Sequence, residues 1–392
     1  MSTPNLATPN PVTDRTKLRF ARRIVVKIGS SSLTDGQGSV SIPAIDALTR
    51  VVGQLHHGGA QVVLVSSGAI AAGFRPLGLE KRPKDLATQQ AAAAVGQSRL
   101  MAQYSESFWK HSISVAQVLL TAEDLMRRTQ YNNAFRSLNR LLNLGVVPVV
   151  NENDAVATHE IRFGDNDRLA ALVASVIKAD ALLMLSDVDA LYDGPPTQEG
   201  ARRIANVSAD ANLTHISVGD SGSSIGTGGM VTKLQAASIA TDAGIPTFLT
   251  SAENAQAAID GEDIGTWFAS RGERRSARNA WLAHMALSRG RIMIDDGAVE
   301  AITVRRRSLL PAGLIGVTGT FEAGDVVEIV NSNGTVVARG LTNYSVTELP
   351  AMVGKSTQQL REELGPEYDR VVVHTDDTVI VKQTTLTSEH TG

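Results

Sequence analysis

The chain contains no cysteine among its 392 residues, and aromatic residues make up only 4% of it. The absence of cysteine excludes disulfide bonds, a thiolate nucleophile and a cysteine-ligated zinc site. Neither sign of charge is in large excess, because the formal net charge is −3 at pH 7. Proteins that bind nucleic acid or anionic membranes over a broad surface usually carry a strongly basic balance. Any such role would therefore have to be local.

Long apolar runs are missing as well. The longest candidate, ALVASVIKADALLMLSDV, contains Lys178 and Asp180, whereas a membrane-spanning helix needs about 20 consecutive residues that are predominantly apolar. The first eighteen residues are polar and lack the apolar core of a signal peptide, so residues 1–18 are predicted to form a disordered tail. We therefore expect no membrane partner and a cytoplasmic location.

Short β-branched runs alternate with amphipathic stretches over the first two thirds of the chain. Stretches such as 85–110 and 228–243 have helical patterns. Continuous apolar runs between helical segments are typical of parallel strands that are buried on both faces. The fold class predicted for residues 19–268 is therefore α/β, with an open, mainly parallel sheet in an αβα sandwich. The predicted strands lie at residues 23–29, 61–67, 113–120, 145–151, 181–188 and 245–251.

The pattern changes beyond residue 268. Residues 269–288 carry four arginines and little strand character, which indicates a linker with one helix. Residues 289–380 contain short apolar runs separated by Gly, Asp and Asn, the pattern of a small β-rich domain. Residues 381–392 are assigned to a second tail. The chain is therefore expected to hold two domains, in keeping with its length.

Two clusters of carboxylates and carboxamides follow the apolar run GVVPVV. NEND occupies residues 151–154, and GDND occupies residues 164–167, before a helical pattern. Ligands of open α/β sheets bind outside the carboxyl ends of strands, so these clusters predict a site for a small polar substrate. Ordinary turns are the alternative, since Asn, Asp and Gly dominate turns, but turns must then explain both clusters at once. The candidate residues are Asn151, Asp154, Asn166 and Asp167.

Four further places in the sequence have features of phosphate binding. GTGGMVTK, residues 226–233, puts glycines before a helical pattern, where backbone amides attract anions and Lys233 adds positive charge. Glycine also caps helices and closes turns, so this run alone is ambiguous. Lys27 ends the first predicted strand, and a lysine at a buried strand end needs an anionic partner. SSGAIAAG, residues 66–73, and the pair Ser186 and Asp187 add hydroxyls and a carboxylate at two more strand ends.

GKST, residues 354–357, resembles the end of a P-loop, but the glycine required five positions before Gly354 is replaced by Leu349. A helix start with a surface lysine is the better interpretation, so no Walker site is predicted. None of the eight histidines has metal-ligand spacing with another histidine or a carboxylate pair. We therefore predict no metal site made of protein side chains alone.

Six motifs in order resemble the amino-acid kinase family, and within it the glutamate 5-kinases: VVKIGSS, VSSGAIAAG, VVPVVNENDAVA, FGDNDRLAA, SDVDALY and GTGGMVTKLQAA. The resemblance extends over residues 23–268. The segments from GRIMIDDGAVEAI to ARGL resemble a PUA domain, which is often appended to bacterial members. Acetylglutamate kinase, uridylate kinase and aspartokinase share the lysine and glycine elements, whereas NENDAV with GDND and a PUA-like tail is typical of the glutamate enzymes.

The resemblance implies transfer of the ATP γ-phosphoryl group to the γ-carboxylate of L-glutamate, the first step of proline biosynthesis, with Mg²⁺. It also implies a homo-oligomer, dimer or tetramer, and feedback inhibition by proline. By motif, Ser67, Asp154 and Asn166 would bind glutamate, together with Asn151 from the polar cluster. The residues that would bind ATP are Lys27, Ser186, Asp187, Thr227, Gly228, Gly229, Met230, Val231, Thr232 and Lys233.

The chemistry of this reaction suits the candidate residues. A γ-carboxylate has a reference pKa of about 4.3, so it is already an ionised nucleophile at neutral pH and needs no general base. We expect Lys27 and Lys233 to stabilise the transferring phosphoryl group, with Asp187 or Asp167 holding their ammonium groups. Asp154 is expected to pair with the α-ammonium of the substrate.

Two alternatives remain open from the sequence. The acceptor could be another amino-acid carboxylate, such as that of aspartate. The chain could instead bind RNA through its PUA-like domain, since residues 271–307 contain nine arginines and four acids. We favour a solvated linker with inter-domain ion pairs for this basic stretch, because no aromatic residues suited to base stacking are interleaved with Arg305, Arg306 and Arg307.

Overall fold

The computed structural model describes residues 12–35, 39–79, 81, 83, 85–121, 124–125, 128–156, 165–196, 198, 200–211, 227–270, 288–368 and 370–381. These residues fall into two compact units, one up to residue 270 and one from residue 288 onward. Most of the predicted linker, 269–288, and the second predicted tail lie outside the described residues. None of the helices in the described part of the chain is long and apolar enough to cross a membrane.

The first unit is built on an eight-stranded sheet with the strand order β3-β4-β2-β1-β5-β7-β8-β6. Neighbouring strands are parallel, except for the antiparallel pair of β7 and β8. The six predicted strands are confirmed, and two very short strands, β8 and the edge strand β6, are added beyond β7. The strands are β1 (Arg23–Ile28), β2 (Gln61–Ser66), β3 (Val115–Leu120), β4 (Val147–Glu152), β5 (Ala181–Ser186), β6 (Asn206–Val207), β7 (Thr247–Ser251) and β8 (Thr266–Phe268).

Helices cover both faces of this sheet. In β1, Ile24 and Val26 belong to the core shared with α1 and α3, while Val25 points to the opposite face and is equally buried. Helix α5 packs across the strands β1, β2, β4 and β5 and contacts α6. The αβα sandwich is therefore confirmed. The helices are α1 (Ile42–His57), α2 (Ala69–Phe74), α3 (Leu86–Trp109), α4 (Arg128–Asn143), α5 (Asp165–Val176), α6 (Thr227–Asp242) and α7 (Ala255–Asp260).

Part of the segment that was predicted to be a disordered tail packs against the first unit. Residues Arg15–Phe20 form a 3₁₀ helix in which Leu18 is fully buried. Arg15 is also buried, and its guanidinium donates hydrogen bonds to the backbone oxygens of Ala205 at 2.6 Å and Ile264 at 3.0 Å. The predicted disordered tail is therefore wrong for residues 12–18. The segment is held both by Val12 and Leu18, which belong to the apolar core, and by an arginine that satisfies carbonyl groups at the edge of the sheet.

Helices α2 and α3 cross in very close contact. A Cβ atom added to Gly73 would lie 1.8 Å from the carbonyl oxygen of Ala92, and one added to Gly96 would lie 1.8 Å from that of Ala69. Only glycine permits this approach of two helix backbones. The crossing fixes the start of α2, directly after β2, against the middle of α3.

The second unit contains a five-stranded sheet with the order β10-β9-β11-β12-β13. Its core includes Ile292, Phe321 and Ile329, and the prediction of a β-rich domain is confirmed. GKST marks a helix start, as predicted, because Ser356 caps α9 with a reciprocal bond to Gln359. The elements are β9 (Gly290–Ile294), α8 (Asp296–Thr303), β10 (Leu314–Gly319), β11 (Val326–Val330), β12 (Val336–Thr342), α9 (Thr357–Glu363) and β13 (Val373–Ile380).

Candidate active site

Four adjacent strands of the first sheet, β4, β2, β1 and β5, end at the same edge with polar residues. Lys27 lies near the end of β1, in register with Val65 of β2 and Met184 of β5. The ends of the other three strands carry Asn151 and Glu152, Ser66 and Ser67, and Ser186 and Asp187. The structure therefore brings the predicted polar strand ends together at one edge, as expected for a parallel sheet.

Asp167 occupies the centre of this edge, in the first turn of α5. Its side chain is 5% exposed, and Lys27 forms an ion pair with its Oδ1 atom. The Nζ atom of Lys233 lies 3.6 Å from its other oxygen, Oδ2. The hydroxyl of Thr232 donates a hydrogen bond to the same oxygen at 2.9 Å. One carboxylate thus connects β1, α5 and α6.

The charges of this cluster do not balance. Burial raises the pKa of the Asp167 carboxyl, but attraction to Lys27 and Lys233 outweighs burial and holds that pKa below its ordinary value. Burial lowers the pKa of Lys27 below its ordinary value, and Asp167 opposes this change only in part. With both lysines protonated, two positive charges share one negative charge. The cluster is therefore suited to bind a further anion.

The start of α6 supplies the second lysine. Lys233 donates a hydrogen bond to the backbone oxygen of Gly229 at 3.2 Å, and the Thr232 hydroxyl, whose single hydrogen can go to Asp167 or to Gly229, lies 3.0 Å from the same oxygen. Thr232 is buried, so its hydroxyl serves Asp167 and the backbone, while Val231 is exposed. The helix begins at Thr227, where free amide groups and the helix dipole attract anions. Gly164 and Gly226, the first residues of the GDND and GTGGMVTK motifs, lie outside the described residues.

Ser186 and Asp187 follow β5 at this edge. The Ser186 hydroxyl donates a hydrogen bond to the Asp187 carboxylate at 2.8 Å. Asp187 is exposed and raises the pKa of Lys27 through its charge, although more weakly than Asp167 does. Of the two carboxylates that the sequence offered as holders of the lysines, Asp167 is therefore the one in direct contact with them.

A chain of amide groups lies beside the lysine cluster. The side chain of Asn166 donates to Asn151 Oδ1 at 3.0 Å, and Asn151 donates to Gln97 Oε1 at 2.8 Å. The backbone N–H of Glu152 donates to both asparagine oxygens, at 2.9 Å for Asn151 and 3.1 Å for Asn166. Asn151 is buried, whereas Asn166 is partly exposed. Ser67 and Asp154, the other predicted substrate residues, are half-buried beyond β2 and β4.

Gln97 was missed by the sequence reasoning. It lies on α3, far from the strand ends in sequence, and it is 7% exposed. One signal was available, since Gln97 falls on the same helix face as Ala93 and Leu100, both of which are buried. A polar residue on a buried helix face needs a hydrogen-bond partner. The identity of that partner could not be read from the sequence.

The described residues include no group of three or more histidines, aspartates or glutamates that could hold a metal ion. The carboxylates at the edge are divided between the buried Asp167, which contacts lysines, and the exposed Asp187. A divalent cation could therefore gain at most a few ligands from these described side chains and would need others from a bound substrate.

The sequence matches two known domain families. The amino acid kinase family matches residues 22–251, and the PUA domain matches residues 290–364. A glutamate 5-kinase from Thermobifida fusca (strain YX) is 54% identical, with the alignment covering 94% of this chain and 95% of the relative. That of Salinispora arenicola (strain CNS-205) is 55% identical over 94% of this chain and 100% of the relative. The glutamate 5-kinase of Streptomyces coelicolor is 53% identical, with the alignment covering 92% of this chain and 97% of the relative.

Proposed function

Because the chain belongs to the amino acid kinase family, and within it to the glutamate 5-kinases, we propose that it phosphorylates the γ-carboxylate of L-glutamate. The phosphoryl donor is ATP, and the product is L-glutamyl 5-phosphate, which enters proline biosynthesis. The observation that carries this proposal is the pair of largely buried lysines on the Asp167 carboxylate. Their excess positive charge is what a migrating phosphoryl group requires.

The reaction exchanges one oxygen–phosphorus bond for another. A γ-carboxylate oxygen forms a bond to the γ-phosphorus, and the bond from that phosphorus to the β,γ-bridging oxygen breaks, which leaves ADP. The carboxylate is ionised at neutral pH, with a reference pKa of about 4.3, so no group has to remove a proton from it. The catalytic task is therefore to align two anions that repel each other and to neutralise charge on the transferring group.

Lys27 and Lys233 perform the second part of this task. Both ammonium groups are fixed before substrate arrives. Asp167 forms ion pairs with both of them, and the backbone oxygen of Gly229 accepts a hydrogen bond from Lys233. Preorganised charges in a site with little water act more strongly than the same charges in solution. Asp167 and Asp187 are thus assigned to hold and tune the lysines, and not to transfer protons.

The nucleotide and glutamate occupy neighbouring parts of the sheet edge. Residues 227–233 at the start of α6, with Lys27, Ser186 and Asp187, bind the phosphates and the adjoining part of ATP. Glutamate lies toward β2 and β4, where Asn166 offers an amide hydrogen to a carboxylate, and Asp154 pairs with the α-ammonium group. Ser67 contributes a hydroxyl on the same side. This division brings the γ-carboxylate toward the γ-phosphate in front of the two lysines.

Mg²⁺ accompanies the nucleotide. Because the described side chains hold no group of three or more histidines, aspartates or glutamates, a bound Mg²⁺ would need most of its oxygen ligands from the ATP phosphates and water, which is usual for Mg²⁺ in phosphoryl transfer. It supplies additional positive charge to the phosphates when bound. Asp187, which is exposed at the edge, is the side chain assigned to face it.

Further features of the proposal follow from the family. The enzyme acts in the cytoplasm, where its two substrates are made, and it assembles as a homo-oligomer, either dimer or tetramer. Proline, the product of the pathway, acts as a feedback inhibitor. No RNA-binding role is assigned to the PUA domain.

The proposal is tested by formation of an acyl phosphate. Protein with Mg²⁺ and ATP is incubated with L-glutamate or, separately, with L-aspartate, and the product is trapped with hydroxylamine. We expect trapped product with glutamate and a turnover number reduced about 10²–10³-fold in Lys233→Ala, with the KM for glutamate nearly unchanged. Lys110→Ala is the matched control, because Lys110 is an exposed lysine paired with Asp46.

The alternatives give different results. Product with aspartate alone would assign another acceptor, and no product with either amino acid from folded protein would overturn the kinase assignment. An intact turnover number in Lys233→Ala would remove Lys233 from the phosphate site while leaving the overall activity in place.

A further inference from the structure

The amide chain beside the lysine cluster has a fixed direction. A backbone N–H can only donate, so the oxygen of Asn166 must face the N–H of Glu152. The nitrogen of Asn166 then faces Asn151 Oδ1, and the nitrogen of Asn151 faces Gln97 Oε1. Rotating any one of the three amides by 180° would bring donor against donor or acceptor against acceptor. The orientation of each amide therefore depends on the next one along.

This direction determines what the site presents to a ligand. The oxygen of Asn151 accepts two hydrogen bonds, from Glu152 N–H and Asn166, so both of its lone pairs are used. Asn166 uses one of the two hydrogens of its amide nitrogen on Asn151 and keeps the second. Because Asn166 is partly exposed while Asn151 and Gln97 are buried, the spare N–H of Asn166 is the group within reach of a ligand. An N–H donor suits a carboxylate.

We propose that Gln97 is a positioning residue for glutamate binding, which holds Asn151 and, through it, turns the spare amide hydrogen of Asn166 toward a carboxylate of the substrate. This inference rests on the proposed function. It deepens that function by assigning buried Asn151 and Gln97 to the orientation of Asn166, and not to contact with the substrate.

The hydrogen bonding of Gln97 favours a positioning role over a purely stabilising one. Its Nε2 atom is buried and has no hydrogen-bond partner among the described residues. A buried amide group without a partner costs about 1–3 kcal/mol, so part of what Gln97 adds to stability through Asn151 is offset at its own nitrogen. A residue selected for stability alone would avoid this cost. The oxygen that accepts from Asn151 is what the glutamine contributes.

The close crossing of α2 and α3 explains how a helix residue reaches the strand edge. Gly96, the neighbour of Gln97, is the point where α3 touches the backbone of α2. About two turns further along, Tyr104 bonds to Ser66 at the end of β2, with 2.8 Å between the two oxygens. Helix α3 is therefore anchored to the ends of β2 and β4, on both sides of the proposed glutamate position.

The test compares Gln97→Met with the wild-type enzyme in the hydroxylamine assay. Methionine has a similar volume and removes the acceptor for Asn151. We expect the KM for glutamate to rise about tenfold, a step of about 1.4 kcal/mol in binding, while the KM for ATP stays within about twofold. The thermal midpoint should change little, because the variant also removes the unpartnered nitrogen. Gln103→Met, two turns away on α3 and half-exposed, is the matched control and should leave both KM values unchanged.

A double-mutant cycle with Asn151→Ala tests whether Gln97 acts through Asn151. In that background the Gln97→Met change should add less than about twofold to the KM for glutamate, because the connection to Asn166 is already broken. Multiplicative effects of the two substitutions would overturn the connection. Should Gln97→Met fail to fold, Gln97→Ala removes the same acceptor, and failure of both variants to fold would show a structural role instead.

The results separate this inference from the proposed function. A wild-type protein that forms no trapped product from glutamate overturns the proposed function itself. An active wild type with an unchanged KM for glutamate in Gln97→Met overturns only the positioning role. Equal rises in the KM values for glutamate and ATP would also overturn it, since they would indicate a general distortion of the site.

Discussion

Lys27 and Lys233 approach opposite oxygens of the Asp167 carboxylate, although one lysine ends a strand and the other lies on a helix far along the chain. Their side chains are 6% and 11% exposed, and that of Asp167 is 5% exposed. Burying charges is costly unless each has a partner with good geometry. Asp167 therefore makes it possible for the fold to keep two ammonium groups at the end of its central strands.

Removing the charge of Asp167 should destabilise the protein strongly. In Asp167→Asn, two largely buried ammonium groups lose their counter-ion, and breaking a buried pair in this way costs about 3–5 kcal/mol. Urea denaturation at neutral pH measures the loss. The double variant Lys27→Met with Asp167→Asn should recover part of it, because it no longer buries an unpaired Lys27. A double variant less stable than Asp167→Asn would contradict this account.

The alkaline side of the pH–activity profile should report Lys27. Burial lowers the pKa of this lysine below its ordinary value of 10.5, and Asp167 and Asp187 both oppose the change. In the proposed mechanism the protonated form of Lys27 is the active one, so turnover should fall as pH rises through this lowered pKa. Asp187→Asn removes one group that raises the pKa, and it should move the fall in turnover to lower pH.

Turnover numbers measured from neutral to alkaline pH test this prediction. Asp46→Asn is the matched control, because Asp46 is a surface carboxylate that pairs with Lys110 and contacts no residue of the site. Its profile should coincide with that of the wild type. A profile of Asp187→Asn that is unchanged, or moved to higher pH, would show that Lys27 is not the group that titrates.

The central strands and their polar ends were predictable because each gives a strong local signal. A parallel strand buried on both faces, such as β1 or β5, reads as a continuous apolar run. A lysine or asparagine at the end of such a run stands out against it. The two-residue β6 and three-residue β8 are too short to give any pattern. They exist because β8 pairs on the edge of β7 and β6 pairs in turn on β8.

The parts of the site that were not predictable depend on contacts between distant residues. The sequence predicts an anionic partner for Lys27 and offers two candidates, Asp167 and Asp187. The packing of α5 against β1 brings Asp167 into contact with Lys27. Thr232 was expected to bind the nucleotide as part of residues 227–233, and the sequence did not indicate that its hydroxyl donates to Asp167. Gln97 has no partner close in sequence at all. The local sequence pattern therefore predicts which residues lie at the sheet edge, whereas tertiary packing determines which of these residues pair with each other.

Arg15 should contribute to stability well beyond an ordinary surface arginine. It bonds to the backbone oxygens of Ala205 and Ile264 beside β6 and β8 and forms an ion pair with Asp263. Arg15→Ala removes a charged donor from two part-buried carbonyl groups, although that of Ala205 still accepts from the backbone N–H of Trp267, so we expect a loss of about 1.5–3 kcal/mol in the free energy of unfolding. Arg19→Ala is the control, because Arg19 contacts only the exposed ring of Phe20 in the described structure. Equal stability of the two variants would contradict the role given to Arg15.

The crossing of α2 and α3 should tolerate no side chain at either glycine. A methyl group at Gly73 or Gly96 would lie 1.8 Å from a backbone oxygen of the other helix, so the helices must separate. We expect Gly73→Ala and Gly96→Ala each to lower the free energy of unfolding by about 1–3 kcal/mol or more, and the KM for glutamate to rise as Ser67 and Gln97 move apart.

Gly53→Ala is the matched control. Gly53 lies inside α1, where an added methyl group would meet its nearest neighbour, in His111, at 3.5 Å, so alanine should gain about 0.8–1 kcal/mol from helix propensity. Urea denaturation and glutamate kinetics on the three variants decide the matter, and a Gly96→Ala protein as stable as Gly53→Ala would show that the two helices do not need this contact.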